Sequence, residues 1–466
     1  MRKKRRRATF FQELGVSKEM VTPLKLVILA VAFGTVCFNI TGGVAMTGYL
    51  KLLGVSDFTY GLILAIGPVT TVLQIFASYL LERTRKRKFM FMFSGILQRA
   101  AWLPFGLVPF IFPMSAEVTR IWMAVLFLLI SSVNGPFINV SFLSFITDLI
   151  PIHIRGRYFS FRSRIATVFG IAGGLLTAFL LDRFTGFTGY ALVFSIAAVF
   201  GITDILFFIF IKFPPMHPPE KKESAHTMIA GVFKNKRYMK IIAFITFWMF
   251  SVHISNPFYL VYAKTVLNLS NTAITIIMSI LPSICMVTVL QSWGRALDKY
   301  GNKPVMIISS RLICIAPFIW FFTVPGELSI VPIIIICVSG GFLGAGLDFG
   351  AQNIYLNQSP DKNRSMYLAV YSCVTSLIGM GLANTAGGWL LDNALPALEK
   401  LNLSFAGIEF NRYNYLFLIT SVLRVFAAFV LLPRLIEEED TTPVKTILRN
   451  AFNNLRRRAF VLVKSK

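Results

Sequence analysis

The hydrophobic positions of this chain come in long runs. Six stretches, 26–50, 58–81, 121–147, 241–263, 265–294 and 365–391, contain no Asp, Glu, Lys or Arg. A helix needs about 20 apolar residues to cross the hydrocarbon core of a bilayer. Segments that are shorter, or that carry a lone interior charge, complete a set of twelve predicted helices. They cover 24–50, 57–81, 89–112, 120–147, 157–181, 189–212, 239–263, 270–294, 304–324, 330–358, 364–393 and 413–433. The fold class that follows is an all-α integral membrane protein with twelve transmembrane helices.

Composition agrees. Hydrophobic residues make up 55% of the 466 positions and charged residues only 14%, against about a quarter in soluble domains. A soluble enzyme, a disordered chain and a disulfide scaffold are excluded. The five cysteines lie in apolar segments without CxxC spacing and read as small buried hydrophobes.

The charge balance sharpens the topology. Lys and Arg number 46 and Asp and Glu 21. In a soluble protein this excess would suggest nucleic acid; here no nucleic-acid partner is inferred, because the position of the charge matters more than its sum. With the N-terminus placed in the cytoplasm, 37 basic residues fall in cytoplasmic segments and 6 outside (Lys51, Arg120, Arg183, Lys264, Lys400 and Arg412). Three fall inside helices: Arg99, Arg311 and Arg424. That bias is the positive-inside signal for both termini in the cytoplasm. The first apolar stretch is too long for a cleaved signal and reads as a retained span. The expected location is the plasma (inner) membrane, as a multi-pass protein.

The division predicted is a basic N-terminus (1–23), a six-helix bundle (24–212), a Pro- and Lys-rich cytoplasmic linker (213–238), a second bundle (239–433) and a cytoplasmic tail (434–466). In the tail, Val444, Ile447, Leu448, Ala451, Phe452 and Leu455 keep helical spacing among basic residues. That pattern fits an amphipathic helix on the anionic lipids of the cytoplasmic leaflet. The two bundles repeat each other. Pro151, Arg155 and Tyr158 recur 209 residues later as Pro360, Arg364 and Tyr367. Leu180-Leu181-Asp182 recurs as Leu390-Leu391-Asp392, and Pro68 as Pro282. Ordered recurrence at nearly one offset indicates a duplicated six-helix unit, the two halves being pseudo-symmetric.

Residues 294–303 read GRALDKYGNK. Gly294, Asp298, Gly301 and Lys303 resemble the loop signature Gly-x-x-x-Asp-x-x-Gly-x-Lys/Arg of the major facilitator superfamily. The equivalent segment after helix 2, Ser78 to Lys88, is degenerate: Glu82 stands for the Asp, Arg85 for the second Gly, and Arg87 for the closing base, with Arg83 beside them. The Pro-to-Arg turns around Arg155, Arg157 and Arg364 also resemble that superfamily, and for them a structural role, setting the start of helices 5 and 11, is the preferred reading. The resemblance implies two six-helix bundles that rock around a midplane site, with these loops gating the motion. In the physical reading, small residues permit close helix approach, and a carboxylate contact made in one packing and lost in another biases a two-state equilibrium. The plain alternative is a topological anchor.

The resemblance further implies a central cavity lined by helices 1, 4, 7 and 10. Polar residues at mid-depth there are Asn39, Asn134, Asn139, His253, Asn256, Asp348, Gln352 and Tyr355, the last three at i, i+4 and i+7. A carboxylate at that depth needs a partner, a proton or water. Asp348 is therefore a candidate for handling ion or substrate; its alternative is a structural pair with an interior Arg. Helices 3, 6, 9 and 12 are peripheral in that superfamily, which favours structural pairing for Arg99, Asp204, Arg311 and Arg424. Arg99 is also deep enough to reach the cavity.

The expected function is secondary active transport of a small-molecule substrate by alternating access. Protons are the default coupling ion by resemblance, with another coupling ion or uniport left open. A lipid flippase or amphipathic-drug exporter on the same fold, and a membrane enzyme acting on lipid-linked substrates, are the alternatives. No phosphate-cradling loop, zinc-spaced set or nucleophile motif occurs. No catalytic residue, cofactor or metal is assigned, and the chain is expected to act as a monomer.

Overall fold

The computed structural model describes residues 11, 16–114, 116–215, 225–323, 325–326, 330–360, 364–405 and 408–435. The expected tail helix, the basic run 2–7 and most of the N-terminus lie outside the described residues. Among the described residues, twelve helices are long and apolar enough to cross a membrane. They are α1 (Glu19–Leu52), α2 (Asp57–Thr84), α3 (Arg87–Ile111), α4 (Glu117–Leu149), α5 (Ile154–Arg183) and α6 (Gly186–Phe210). The second six are α7 (Lys236–Thr265), α8 (Asn271–Tyr300), α9 (Asn302–Phe321), α10 (Ile330–Asn357), α11 (Met366–Glu399) and α12 (Arg412–Arg434). Between α11 and α12 a small hairpin pairs β1 (Ser404–Phe405) with β2 (Ile408–Glu409).

Two expectations need correction. Several gating positions are not in loops: Glu82 and Arg83 lie in the last turn of α2, Gly294 and Asp298 lie in α8, and Arg155 and Arg157 lie at the start of the α5 helix, while Gly301 stays between α8 and α9. The reason is where the left-handed residue falls. Arg85 (φ 55°) and Gly301 (φ 87°) stop the helices only after those residues have been included. The linker is also not merely polar connection. It contains a helix, Ala225–Lys234, whose Val232 is buried against Tyr238, Tyr367 and Val370.

The chain forms two compact units. Residues up to 55 and from 69 to the linker form the first; residues 56–68 and those after the linker form the second. In the first unit α1 packs on α5 and α6, and α3 on α4 and α6. In the second, α8 and α9 pack on α10, and α7 on α11.

Prolines set the helix breaks. α3 breaks at Ala101 ahead of Pro104, α7 at Ile254 and Ser255 ahead of Pro257, and α9 at Cys314 and Ile315 ahead of Pro317. A π-helical segment, Ile276–Ile280, precedes Pro282 in α8. In each case proline withholds the N–H that the carbonyl four residues earlier needs, and its ring crowds that carbonyl.

The two units repeat each other in their tyrosine staples. Tyr49 of α1 donates to the carbonyl of Phe105 at 2.6 Å, and Tyr262 of α7 to that of Thr323 at 2.5 Å. At the opposite ends Tyr158 donates to Leu24 O at 2.8 Å, and Tyr238 to Tyr367 O at 3.2 Å. Each staple joins a helix to its unit-mate by a main-chain acceptor, a bond that sequence divergence between the halves leaves intact.

Candidate functional site

Within lipid, apolar side chains gain little from leaving their solvent, so helices associate through close packing of small residues. In the first unit such packing builds a polar centre. Arg99 of α3 ion-pairs Asp204 of α6 at 3.1 Å, and its Nη1 donates to Gln98 Oε1 at 2.6 Å. Asp204 is buried and Arg99 half-buried. Glycines make the room. A Cβ at Gly34 of α1 would stand 2.6 Å from Asp204 Oδ2, and one at Gly201 would stand 2.6 Å from Arg99 Cδ. Gly34→Val is therefore expected to displace the carboxylate and lower the thermal midpoint by about 4–8 °C, as 2 kcal/mol of overpacking would in a unit of this size. Circular dichroism melting measures it; an unchanged midpoint refutes the close approach.

The asparagines predicted beside this centre are less engaged. Asn39 donates to Thr35 O at 2.9 Å and Asn134 to Ile130 O at 2.7 Å, both back into their own helix. Asn39 and Asn139 are exposed.

In the second unit the i, i+4, i+7 row of α10 is intact. Asp348 and Gln352 are exposed, and Gln352 lies within electrostatic reach of the Tyr355 hydroxyl. The Tyr355 ring stacks on Tyr371 of α11, with centroids 4.0 Å apart. Tyr371 lies within electrostatic reach of Asp348 and of Tyr238. Asp348 has no ion pair among the described residues, so the structural pair with an interior Arg is not formed. Tyr371 and Tyr238 were missed in the sequence; Tyr371 sits one helical turn beyond Tyr367, the repeat partner of Tyr158.

His253 is the last residue of the first α7 segment, because Pro257 cannot donate to its carbonyl. It is half-buried and feels the charge of Arg424 rather than that of a carboxylate. Asn256 opens the next segment and is exposed. His253 and Asn256 thus mark a helix break, one turn apart.

The basic motif residues cap helices. Lys303 donates to Pro433 O and Leu435 O at 2.9 and 2.6 Å, at the end of α12. Arg87 ion-pairs Asp148 at 2.6 Å and donates to Pro214 O at 2.5 Å, just beyond α6. Arg155 donates to Thr147 O and Ile150 O, and Arg364 to Leu356 O and Ser359 Oγ, so both tie down the ends of α4 and α10. Cations at helix C-termini satisfy orphan carbonyls and meet the negative end of the dipole. Asp298 and Arg157 are exposed, and a side chain at Gly294 would meet nothing within 4 Å.

One cluster was not anticipated. Arg412, opening α12, lies 3.3 Å from Asp57 and 3.6 Å from Asp392. Tyr413 donates its hydroxyl to Asp57 at 2.9 Å, and Asp392 accepts the backbone N–H of Phe58 at 2.7 Å. In the sequence these acids are scattered loop residues, and Arg412 counts as one of the few outside bases. Only the folding of 56–68 onto the second unit brings them together.

The Major Facilitator Superfamily model matches residues 26–290 and 241–464. No curated protein matches the sequence significantly. Among solved structures, the nucleoside transporter NupG, as a point mutant, superposes with a TM-score of 0.67 at 16% identity, covering 88% of this chain and 99% of that one. A bacterial homologue of the human lysosomal transporter Spinster gives 0.67 at 17% identity, covering 92% and 100%. A D-xylose-proton symporter gives 0.62 at 15% identity, covering 90% and 98%. At such identities the likeness establishes the fold, while the family rests on the sequence match over most of the chain. The chain belongs to the Major Facilitator Superfamily and is a multi-pass membrane transporter, not an enzyme.

Proposed function

We propose that the protein moves a small, polar, ring-bearing solute by alternating access, with Asp348 carrying the coupling proton. The observation that carries this reading is the α10 row: an exposed acid, an exposed amide and a tyrosine stacked on Tyr371, all along one helix face. Aromatic faces pack on the apolar face of a sugar or a nucleobase, and the carboxylate and amide hydrogen-bond its polar edge. Two of the structural relatives are named for a nucleoside and for D-xylose with a proton, which is the solute chemistry this row suits. The test is uptake into liposomes containing the purified protein, under an imposed pH gradient, of labelled nucleosides, pentoses and hexoses. Gradient-dependent accumulation of one class supports the reading. Movement of fluorescent phospholipid in its place, with no sugar or nucleoside uptake, overturns it.

The Arg412 cluster is proposed as the latch at the outside end assigned by the charge pattern. It clamps residues 56–68 to the second unit, and its release accompanies opening at that end. Arg412→Gln removes the cation shared by two carboxylates. Amide hydrogen exchange over 57–68 is expected to rise about tenfold, the equivalent of about 1.4 kcal/mol of lost contact. Unchanged exchange there would remove the latch.

A further inference from the structure

The second unit holds a group of buried polar side chains that neither the α10 row nor the latch uses. Arg424 of α12 is 8% exposed, its buried Nε has no hydrogen-bond partner, and it forms no ion pair among the described residues. The groups within its electrostatic reach are Tyr259, Cys314 and His253; no carboxylate is among them. Arg311 of α9 acts on Cys314 as Arg424 does. The guanidinium groups of Arg311 in α9 and Arg424 in α12 thus both lie within electrostatic reach of the Cys314 thiol. Arg311 rests its guanidinium over the ring of Phe429 at 4.6 Å, and its Nε is buried without a partner.

The remaining neighbours are hydroxyls, which can donate as well as accept. Tyr259 is 7% exposed and Ser255 is fully buried. The two hydroxyls lie next to each other, yet neither has a hydrogen bond of good geometry. The Tyr259 ring is held by stacking on Phe417 at 4.6 Å and by Trp320 at 4.8 Å, so its hydroxyl cannot swing away to find another acceptor. Ser255 is freed for this purpose by the α7 break ahead of Pro257.

Arginine keeps its proton in proteins and offers donors only. An unpaired cation inside the hydrocarbon region is strongly unfavourable, and buried polar atoms are normally satisfied. Arg424 also lies 10 residues from the end of α12 at Arg434, about 15 Å along the helix and so near mid-membrane. A buried cation without an acid beside it among the described residues, flanked by hydroxyls that can donate, is the chemistry of an anion receptor. We propose that Arg424, with Tyr259, Ser255 and Arg311, binds a compact monovalent anion inside the second unit. The anion is either a halide from solution or the carboxylate of a small acid. Its role is to neutralise the α9–α12 cations, and it is separate from solute binding at the α10 row.

The test uses the purified full-length protein at constant ionic strength. Gluconate is exchanged for chloride, bromide or acetate, and the melting midpoint is followed with chloride NMR line broadening. Chloride and bromide are expected to raise the midpoint saturably by about 4 °C, and bromide to relieve the broadening. A rise with acetate alone assigns the site to a carboxylate. Arg424→Gln is expected to lose the whole response. Should that variant fail to fold, Tyr259→Phe and Ser255→Ala keep the cation and are expected to weaken half-saturation several-fold each. The proposal is overturned if no anion moves the midpoint or the line width. It is equally overturned if Arg424→Gln, or the two hydroxyl variants together, respond like the wild type.

Discussion

Asp348→Asn is expected to reduce gradient-driven accumulation to that of protein-free liposomes while leaving solute counterflow within about threefold, a change too small to signal a lost tenfold contact. Asp348 lies 9 residues before the end of α10 at Asn357, which is about 14 Å along the helix and close to the middle of an about 30 Å core. A carboxylate there costs at least about 2.5 kcal/mol on insertion scales. It has no ion pair among the described residues, and the α10 face that carries it is exposed. The charge is relieved by a proton, by water or by the solute; on the proposed reading a proton and the solute relieve it in turn, which couples the two. Asparagine keeps the shape and the hydrogen bonds and removes the proton. Counterflow, which needs only solute binding and the conformational change, survives; accumulation against a gradient does not. If accumulation persists in the variant, Asp348 is not the coupling group. A parallel measurement separates the roles: solute-induced thermal stabilisation is expected to lose its pH dependence in Asp348→Asn and keep its amplitude.

Asp204→Ala is expected to lower the thermal midpoint by about 10 °C. The Arg99–Asp204 pair is enclosed by α1, α3 and α6, with Gly34 and Gly201 shaped to it. Removing one partner of a buried pair leaves an uncompensated charge and costs about 3–5 kcal/mol, and each kcal/mol moves the midpoint of a 150–250-residue unit by about 2–4 °C. Replacing both partners by apolar residues of similar volume, Arg99→Met with Asp204→Leu, is expected to recover most of the loss, because no charge is then left stranded. A double-mutant cycle measures the difference. If the double variant transports normally, the pair is structural and Arg99 does not contact solute. If it folds as the wild type but loses transport, Arg99 belongs to the solute site after all.

The latch shows why some contacts escape a reading of the sequence. Asp57 and Arg412 are 355 positions apart, and each stands beside an apolar run like any loop residue. Charge counting assigns Arg412 to the outside and goes no further. The same limit applies to Arg99 and Asp204. Their solitude inside apolar helices marks them as needing partners, since a lone charge in lipid is costly, but solitude does not say which helix supplies the partner. The gating motif shows a different limit. Its residue pattern is legible, yet the helices run a few residues further: α2 stops at a left-handed Arg85, which carries no glycine signal, and α8 stops only at the second glycine of the motif, Gly301.

What the sequence determined by itself was the number of spans, their approximate limits and the duplication. These follow from lipid as a solvent: twelve uncharged or nearly uncharged runs must each satisfy their own backbone as a helix. The α10 row was also legible, because i, i+4 and i+7 share a face of any helix. The tertiary structure alone decided the pairs: Arg99 with Asp204, Arg412 with Asp57 and Asp392, Tyr355 with Tyr371, and Arg424 with no acid among the described residues. Helix formation is local, and its periodicity is written in adjacent residues. The choice of partner across helices depends on which glycines allow approach and where prolines break the spans, and those positions act only once the helices have packed.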